Sequence, residues 1–473
     1  MITRQIAIIG AGISGLACAY HLQERAAAQQ IPLELKIFEA SGRAGGILQT
    51  EKKDGFLLEH GADAFITEKP WALELARKLG LESELTGVQP EHQQSAIVFR
   101  GRLWPIPKGF YLIAAPQLKT LWQLPFLSLR GKCRMLLEPW IAPKPAVQAD
   151  ESVAAFMRRR FGEEALWRIG QPMIGGIYTA DLEKLSLAAT FPQFREMELC
   201  DGSVIRGLQR RTAEKEARGP RYRLFQTFKG GMQALTDRLV QVLGPKMEKN
   251  KKLTQLEKKA NGWQLQFADG SHFEAEAVCL ALPVQSAAEL LVSAAPAAAG
   301  ELAGIRTEPA LTINLAFRAA EVAGLPRGAG FVIPHIEGYP LVGVTWAHQK
   351  FASRAPANGI LVRAFAGGAY HRGLLESGDE TLVKLTLETL QKILGLTALP
   401  LWTKVQRHPQ AMPQFEVGHL DRVRRLRSAV EKTPGLFLTG NYLSGVGIPD
   451  CVHEAQQTAD NILRLFKSLN PAR

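Results

Sequence analysis

The sequence predicts an α/β protein with more than one domain, and three observations lead to this expectation. The chain has 473 residues, about two to four times the usual length of a domain. A strand, a glycine-rich turn and a helix follow one another near residue 5, and the same order returns near residue 435. Such strand and helix alternation favours a parallel sheet that is covered by helices.

The composition is that of an ordinary globular protein, with 46% hydrophobic and 22% charged residues. The net charge of +12 is compatible with nucleic acid, an anionic membrane surface or an acidic small molecule as a partner. Because the sequence contains no RNA-reading aromatic motif, zinc finger or basic-helix pattern, we expect no nucleic-acid partner. The five cysteines are scattered and form no CxxC pair, which favours a reduced, cytoplasmic chain without disulfides or zinc.

Two segments have some features of membrane or export sequences. The N-terminal run contains one arginine before small and apolar residues, but no cleavage site stands out and its glycine spacing has another explanation. Residues 110–129 are interrupted by Pro116, Lys119 and Pro125 and are too polar to cross a bilayer. This second segment could still lie on a membrane surface.

The first glycine motif is "QIAIIGAGISGLACAYHL", which predicts a strand from Gln5 to Ile9, a turn and a helix. Three of its glycines fall on the pattern GxGxxG: Gly10, Gly12 and Gly15. In this pattern one glycine allows the tight turn, one lets the backbone approach a pyrophosphate, and one lets the helix pack on the strand. The first helical residues, Ile13 and Ser14, present free N–H groups and a positive dipole end to phosphates.

A carboxylate follows the second predicted strand, "LELKIF". Glu39 lies 24 residues beyond Gly15 and is followed by Ala40. A carboxylate at this place can accept hydrogen bonds from both ribose hydroxyls of an adenosine, whereas a plain packing turn needs none. We therefore predict a dinucleotide site in a Rossmann-like domain, to which Gly10, Gly12, Gly15, Glu39 and Ala40 belong.

The next segment, "EASGRAGGILQT", indicates which dinucleotide is bound. It places Arg43 and Gly46 just beyond the ribose carboxylate, where an NAD-type fold would normally continue to its next helix. The segment resembles the FAD-binding flavoproteins that include amine oxidases and phytoene desaturases, in which it runs along the diphosphate. We therefore expect FAD as the cofactor. The same resemblance brings Gly61, Ala62 and Asp63 to the flavin ring, although an ordinary hairpin would also explain these three residues.

The second glycine motif is "TGNYLSGVGIPDC", residues 439–451, which stands between an apolar run and a long helical pattern. Apolar residues recur at spacings of three and four in the helix, and they predict one buried face: Val452, Ala455, Ala459, Ile462, Phe466 and Leu469. A helix N-terminus suits the negative charge that a reduced flavin carries near N1 and its C2 carbonyl. We expect Val446, Gly447 and Ile448 to contact the flavin, and Gly445 and Gly447 to keep side chains off its face. A simple turn before the helix is the alternative.

With these motifs in place, the chain resembles the oxygen-dependent protoporphyrinogen and coproporphyrinogen oxidases almost from end to end. The most specific stretch is "ESVAAFMRRRFGEEALWRIGQPMIGGIYTADLEKLSLAATFPQF", because generic amine oxidases share the two nucleotide motifs but lack this block. Taken alone, the block predicts only a buried helix, with a face marked by Val153, Phe156, Met157, Arg160 and Phe161. The resemblance implies oxidation of a porphyrinogen to the porphyrin in haem synthesis, with O2 as acceptor and peroxide as by-product.

The resemblance also implies a combined α/β and α+β fold in three parts. An FAD-binding domain is assembled from residues 1–88, 222–290 and 404–473, and Leu253 in it meets the flavin nucleotide through its backbone. A substrate-binding domain with a mixed sheet comprises 89–105, 191–221 and 291–403. A helical lobe, 106–190, faces a membrane in this family, which fits peripheral attachment to the inner face of the cell membrane aided by positive charge. A homodimer is left open.

The expected chemistry needs no covalent nucleophile. Aromatisation of a porphyrinogen proceeds in two-electron steps, each a hydride delivered to flavin N5 with a proton lost to solvent or a base. The sequence contains no HExxH, no GxSxG and no P-loop motif. We therefore predict no catalytic side chain and no metal site.

The substrate carboxylates should meet cations. Many members of the family have an arginine on the strand before the turn "GxLxPxP", where this chain has Ser95, and this departure favours the coproporphyrinogen branch. Lys69, Arg100 and Lys108 are candidate replacements, although the sequence favours a solvated surface charge for any single one of them. The resemblance places the carbonyl of Gly176 opposite the pyrrole nitrogens; the alternative is a glycine that ends a helix.

Two other functions remain open from the sequence. An amine oxidase or a carotenoid desaturase on the same fold would reduce its flavin with an amine or a polyene. A non-catalytic FAD protein could use its basic charge to bind a membrane or nucleic acid, and its flavin would then be reduced by no porphyrinogen.

Overall fold

The computed structural model describes residues 3–107, 109–145, 150–218, 224–322 and 324–468. The strands of these residues are β1 (Arg4–Ile9), β2 (Leu33–Phe38), β3 (Thr50–Lys53), β4 (Phe56–Glu59), β5 (Phe65–Ile66), β6 (Leu85–Gly87), β7 (Ser95–Phe99), β8 (Arg102–Pro105), β9 (Phe225–Phe228), β10 (Met247–Glu248), β11 (Leu253–Lys259), β12 (Gly262–Phe267), β13 (His272–Ala275), β14 (Ala277–Leu280), β15 (Thr307–Arg318), β16 (Gly330–Val332), β17 (Leu341–Trp346), β18 (Gly359–Gly367), β19 (Trp402–Pro413) and β20 (Leu436–Leu438).

The α-helices of the same residues are α1 (Ile13–Ala28), α2 (Trp71–Lys78), α3 (Leu118–Trp122), α4 (Leu129–Leu136), α5 (Val153–Arg160), α6 (Glu163–Ala165), α7 (Gln171–Tyr178), α8 (Leu187–Thr190), α9 (Pro192–Asp201), α10 (Val204–Arg218), α11 (Gln233–Leu243), α12 (Val284–Ala294), α13 (Pro296–Ala303), α14 (Ala347–Lys350), α15 (Asp379–Leu394), α16 (His419–Glu431) and α17 (Ile448–Ser468).

A five-stranded parallel sheet, in the order β10-β2-β1-β14-β20, forms the centre of the nucleotide domain. It gathers strands from the beginning, the middle and the end of the chain. Alternate residues of β1 face opposite cores: Ile6 and Ile8 pack with α1, α11 and α17, whereas Ala7 and Ile9 pack with α12, α13 and α16. Both faces of the sheet are thus buried, which is why β1 and β14 are apolar without alternation.

A second sheet has seven strands in the order β19-β15-β18-β17-β16-β7-β8. Only the pair of β7 and β16 is parallel among these neighbours, and the other pairs are antiparallel. Residues of α15 cover one face of it. The predicted combination of a parallel nucleotide sheet with a mixed second sheet is therefore confirmed.

Helices α3 to α10 form the third part, which we call the helical lobe. Its apolar core extends from Ile113 to Leu208, and it also includes Ile97 and Phe415. The domain boundaries proposed from the sequence, including the one at residue 190, remain predictions. In the part of the chain that the structure describes, no helix has both the length and the apolarity that a membrane crossing requires.

Candidate functional site

A single large cavity connects the nucleotide sheet with the helical lobe. Its volume is 2190 Å³, and it is lined by the first glycine turn, the loop before α17, and helices α7, α9 and α10. An ordinary small-molecule pocket measures about 300–1,000 Å³. The cavity therefore has room for a dinucleotide and a second large molecule together.

At the nucleotide end, parallel pairing sets the position of Glu39. β1 and β2 pair up to Ile9 and Phe38, so the turn and the carboxylate leave the sheet side by side. The backbone N–H of Ala11 donates to Oε2 of Glu39 (2.8 Å), and the N–H of Ser41 donates to Oε1 (2.9 Å). These bonds hold the carboxylate at the rim of the cavity, where it can accept further hydrogen bonds.

Most of the predicted cofactor residues line this cavity: Gly10, Gly12, Ile13, Ser14, Glu39, Ala40, Gly46, Ala62, Leu253, Val446, Gly447 and Ile448. The turn itself leaves its backbone bare. Gly10 has a φ of +102°, which favours glycine. An added Cβ on Gly12 would meet only Gly46 Cα at 4.0 Å, so the space beside Gly12 is open to a ligand.

Four predicted cofactor residues lie behind the lining, where each supports it. An added Cβ on Gly15 would lie 2.0 Å from the Gly10 carbonyl, and one on Gly61 would lie 2.0 Å from the Ile47 carbonyl. These two glycines therefore serve close backbone packing. Arg43 donates to the carbonyls of Ala44 (3.1 Å) and Gly46. The fourth residue, Asp63, lies in a buried ion cluster.

This ion cluster contains Glu59, Asp63, Lys350, Arg354 and Arg363. Lys350 Nζ lies 2.9 Å from Asp63, and Arg354 lies 3.3 Å from Glu59. Burial alone would raise the pKa of Asp63, but Lys350 and Arg363 outweigh it and hold that pKa below its usual value. Arg363 also donates to the Gly61 carbonyl, next to the cavity-lining Ala62. Sequence reasoning missed the three cations, because they come from β18 and from residues near α14, far along the chain from Asp63.

The loop before α17 contains an unexpected contact. An added Cβ on Gly445 would lie 2.4 Å from Asp450 Cγ, and one on Gly447 would lie 3.0 Å from Asp450 Oδ2. An added Cβ on Gly440 would lie 2.5 Å from the Tyr442 ring. The glycines thus make room for side chains of their own segment, a role that the sequence analysis did not foresee. Whether Gly445 and Gly447 also keep the flavin face clear remains a prediction.

The part of the cavity at the helical lobe is walled by aromatic and apolar residues: Phe110, Tyr111, Met173, Ile177, Tyr178 and Phe191. Ser95 lines the cavity as well. Gly176 is exposed and is not among the lining residues, although its neighbours Met173 and Ile177 are. Its proposed contact with pyrrole nitrogens remains a prediction.

The three lysine and arginine candidates for carboxylate binding differ in position. Lys69 lines the cavity, but its Nζ donates to Asp450 Oδ1 (2.6 Å). Arg100 is not among the lining residues, and its guanidinium lies over the Phe99 ring at 5.2 Å. Lys108 lies outside the described residues.

Four further cations of the lining were missed: Arg210, Arg211, Lys251 and Lys252. Arg210 and Arg211, on α10, face the cavity and pair with Asp201 (2.8 Å) and Glu196 (2.7 Å). The sequence feature that could have indicated the two arginines is a run of basic residues after residue 205. Such a run is equally typical of the solvated face of a helix.

Replacing Glu39 with alanine should weaken FAD retention about ten- to a hundredfold, because charge-assisted hydrogen bonds contribute about 1.5–3 kcal/mol. The fraction of yellow protein left after dialysis measures this loss. Glu34→Ala is the matched control, since Glu34 is exposed on β2, the strand that Glu39 follows, and contacts Gln5. Equal FAD retention by Glu39→Ala and the wild type would contradict the ribose role.

Comparison with known proteins was made at three levels. A family model described as flavin containing amine oxidoreductase matches residues 13–463. Coproporphyrinogen III oxidase of Bacillus subtilis (strain 168) is 33% identical over 471 residues, which cover 97% of this chain and 98% of that protein. Chloroplastic protoporphyrinogen oxidase 1 of Arabidopsis thaliana is 30% identical over 486 residues, with 97% and 88% covered. A crystal structure assigned as a protoporphyrinogen oxidase from Exiguobacterium sp. 255-15 superposes with a TM-score of 0.86 at 29% identity, covering 98% of this chain and 99% of that one.

Proposed function

Because the chain belongs to the flavin-containing amine oxidoreductase family, we propose that it binds FAD and oxidises a porphyrinogen to the porphyrin in haem biosynthesis. The observation that carries this proposal is the single cavity that joins a dinucleotide motif to an aromatic-walled lobe. Coproporphyrinogen III is the preferred substrate of the proposal, with protoporphyrinogen IX as the alternative. Relatives that match 97% of this chain carry both names.

The residues around the cavity fit FAD. The open backbone at Gly12 and the start of α1 would hold the diphosphate, and Glu39 would hold the ribose. The N-terminus of α17 opens on the same cavity. Cys451 in its first turn is hydrogen-bonded by Ser14 of α1. Burial raises the pKa of this cysteine, and the hydrogen bond from Ser14 opposes that rise. The two helix starts are therefore adjacent, as one extended cofactor requires. FAD bound there would supply an acceptor for hydride, and O2 is the proposed final acceptor, with H2O2 as its product.

Two features favour coproporphyrinogen III, which carries four carboxylates. Ser95 leaves the expected arginine position without a cation, while Arg210 and Arg211 put two guanidinium groups on the lining. Guanidinium groups bind carboxylates in a bidentate manner. The present partners of these arginines are Asp201 and Glu196, which belong to the same lobe. In this proposal, the carboxylates of the substrate take the place of these two partners when it binds.

Anaerobic mixing tests the proposal. The purified holoprotein is mixed with coproporphyrinogen III, protoporphyrinogen IX, a primary amine or a polyene, and the flavin absorbance near ~450 nm is followed. We expect bleaching by coproporphyrinogen III, at a higher rate than by protoporphyrinogen IX. Bleaching by the amine or the polyene alone would assign the other enzyme class. A flavin that none of the four compounds reduces would favour a non-catalytic protein.

We also propose that the helical lobe attaches peripherally to an anionic membrane. Large apolar side chains are exposed on α3, on α4 and after α4: Leu118, Trp122, Leu129, Leu137 and Trp140, the last being 72% exposed. Cations accompany them, with Lys119 and Arg130 exposed and Lys132 over the Trp122 ring at 5.8 Å. Tryptophan and basic residues together are typical of membrane interfaces. The cavity-lining residues Gly109 to Leu112 and Pro116 precede this surface directly.

Replacing Trp122 and Trp140 together with glutamine should lower binding to phosphatidylglycerol vesicles at least about tenfold. Burial of one large apolar side chain contributes about 1.5–3 kcal/mol, and 1.4 kcal/mol already corresponds to a factor of about ten. Sedimentation with vesicles measures the change. Leu399→Gln, which alters an exposed leucine away from the lobe, is the control and should bind like the wild type. Equal binding of all three proteins would contradict the proposed surface.

A further inference from the structure

Asp450 is the buried carboxylate of the cavity. It lies in the first turn of α17, lines the cavity, and its side chain is 12% exposed. The other carboxylates of the described lining are Glu39, Glu68, Glu196 and Glu289. Glu39 is engaged by Ala11 and Ser41, and the remaining three are exposed. Asp450 is therefore the member of this set that is shielded from bulk solvent.

Three features of the fold hold the Asp450 carboxylate in place. Lys69 donates to Oδ1 at 2.6 Å from the loop between β5 and α2. The absence of side chains at Gly445 and Gly447 leaves the space that Cγ and Oδ2 occupy. The helix N-terminus adds a positive dipole end, which stabilises a carboxylate in the first turn. A carboxylate that is positioned this closely at the cavity is a candidate for a chemical role.

The carboxylate shares the cavity lining with residues of both the glycine loop and the helical lobe. Val446 and Gly447, expected at the flavin, precede it in the chain, and Tyr178 belongs to the helical lobe. Burial first, and the negative charge of Asp450 second, raise the pKa of Tyr178, so the two groups are within electrostatic range. The groups that face Asp450 are thus Lys69 from the loop after β5, Tyr178 from α7 and Cys451 from its own helix.

We propose that Asp450 accepts the proton that the porphyrinogen loses in each two-electron step, and that Lys69 holds the carboxylate in place through its hydrogen bond to Oδ1. This inference rests on the proposed function. In each step a bridging C–H bond breaks and its electron pair leaves as hydride, for which FAD bound in the cavity would be the acceptor. An N–H bond, or in the last step a remaining bridging C–H bond, also breaks, and its electron pair stays in the macrocycle as a new double bond. The released proton forms an O–H bond on Asp450 and passes on to solvent past the half-exposed Lys69.

Asp450→Asn tests this role by single-turnover anaerobic reduction with coproporphyrinogen III. A positioned proton acceptor contributes about 10²- to 10⁴-fold, and we expect the rate constant of flavin reduction to fall within that range. The FAD content should stay unchanged. Asp460→Asn is the matched control, since Asp460 is 40% exposed on the same helix and pairs with Arg25; its rate should equal that of the wild type.

Two further variants distinguish a proton acceptor from a structural group. Gly445→Ala keeps the charge but its Cβ would displace the carboxylate, so it should slow reduction as well. Lys69→Met keeps the carboxylate but removes its hydrogen bond at Oδ1, so it should lower the rate constant of reduction and leave KM unchanged, whereas loss of an anchor for substrate carboxylates would raise KM.

The outcomes separate the two proposals. If no porphyrinogen reduces the wild-type flavin, the proposed function fails and this inference falls with it. If the wild type is reduced and Asp450→Asn keeps its rate, only the role of Asp450 is overturned. A rate loss that is accompanied by lost FAD would also overturn it, because Asp450 would then serve cofactor binding.

Discussion

Replacing Gly15 with alanine should destabilise the protein by about 1–3 kcal/mol or more and abolish FAD retention. The new Cβ would lie 2.0 Å from the Gly10 carbonyl and 3.1 Å from Ala281 Cβ, and the first of these contacts is with backbone that cannot yield. Helix α1 must therefore move away from the turn that it closes. Thermal unfolding of the FAD-free protein measures the loss, because the clash exists without any ligand.

Gly12→Ala is the matched comparison for Gly15→Ala. Gly12 has φ −74° and ψ 179°, a conformation open to any residue, and its new Cβ would meet only Gly46 Cα at 4.0 Å. The FAD-free protein should therefore keep its stability, while FAD binding should weaken at least about tenfold, or about 1.4 kcal/mol. If both variants lowered the stability of the FAD-free protein equally, the distinction between a packing glycine and a cofactor glycine would be wrong.

The sequence predicted those parts of the site that depend on local spacing. The first glycine motif and Glu39 are only one strand, one turn and one helix apart, and parallel pairing of β1 with β2 brings them together. The apolar face of α17 is likewise confirmed, since five of its six predicted positions are buried in one core: Val452, Ala455, Ala459, Ile462 and Phe466. The sixth position, Leu469, lies outside the described residues.

Contacts between distant segments could not be predicted in this way. Lys69 and Asp450 are separated by 381 residues, and nothing near either residue encodes the other. Arg363 reaches the Gly61 carbonyl from β18, a strand of the other sheet. Reading each charge alone, the sequence assigns Lys69 to the substrate, whereas in the structure its ammonium group is bound by a carboxylate of the same chain. Local patterns therefore predict the cofactor frame better than the ionic contacts around it.

The helical lobe shows a related limit of sequence patterns. Its most specific block has an apolar face in which Arg160 is the exceptional residue, and the structure buries that arginine completely. Arg160 Nε donates to Glu138 Oε1 (2.8 Å), and its two terminal nitrogens reach the carbonyls of Ile141 (2.8 Å) and Gly202 (2.9 Å). Glu138 in turn accepts the N–H groups of Val204 (2.9 Å) and Ile205 (3.2 Å) at the start of α10. One ion pair thus joins α5 to the N-terminus of α10, the helix that carries Arg210 and Arg211.

Replacing Arg160 with methionine should therefore destabilise the helical lobe by about 3–5 kcal/mol, because it leaves Glu138 buried without its counter-ion. Amide hydrogen exchange of α5, α9 and α10 measures the effect within the lobe. A single unfolding temperature would not resolve it, because the protein has several domains. Arg206→Met, on the exposed side of α10, should stay within about 0.5 kcal/mol of the wild type. The double variant Glu138→Gln with Arg160→Met should recover part of the loss, because the buried charge is gone. A double variant as unstable as Arg160→Met would show that packing of the arginine stem, and not charge pairing, stabilises this lobe.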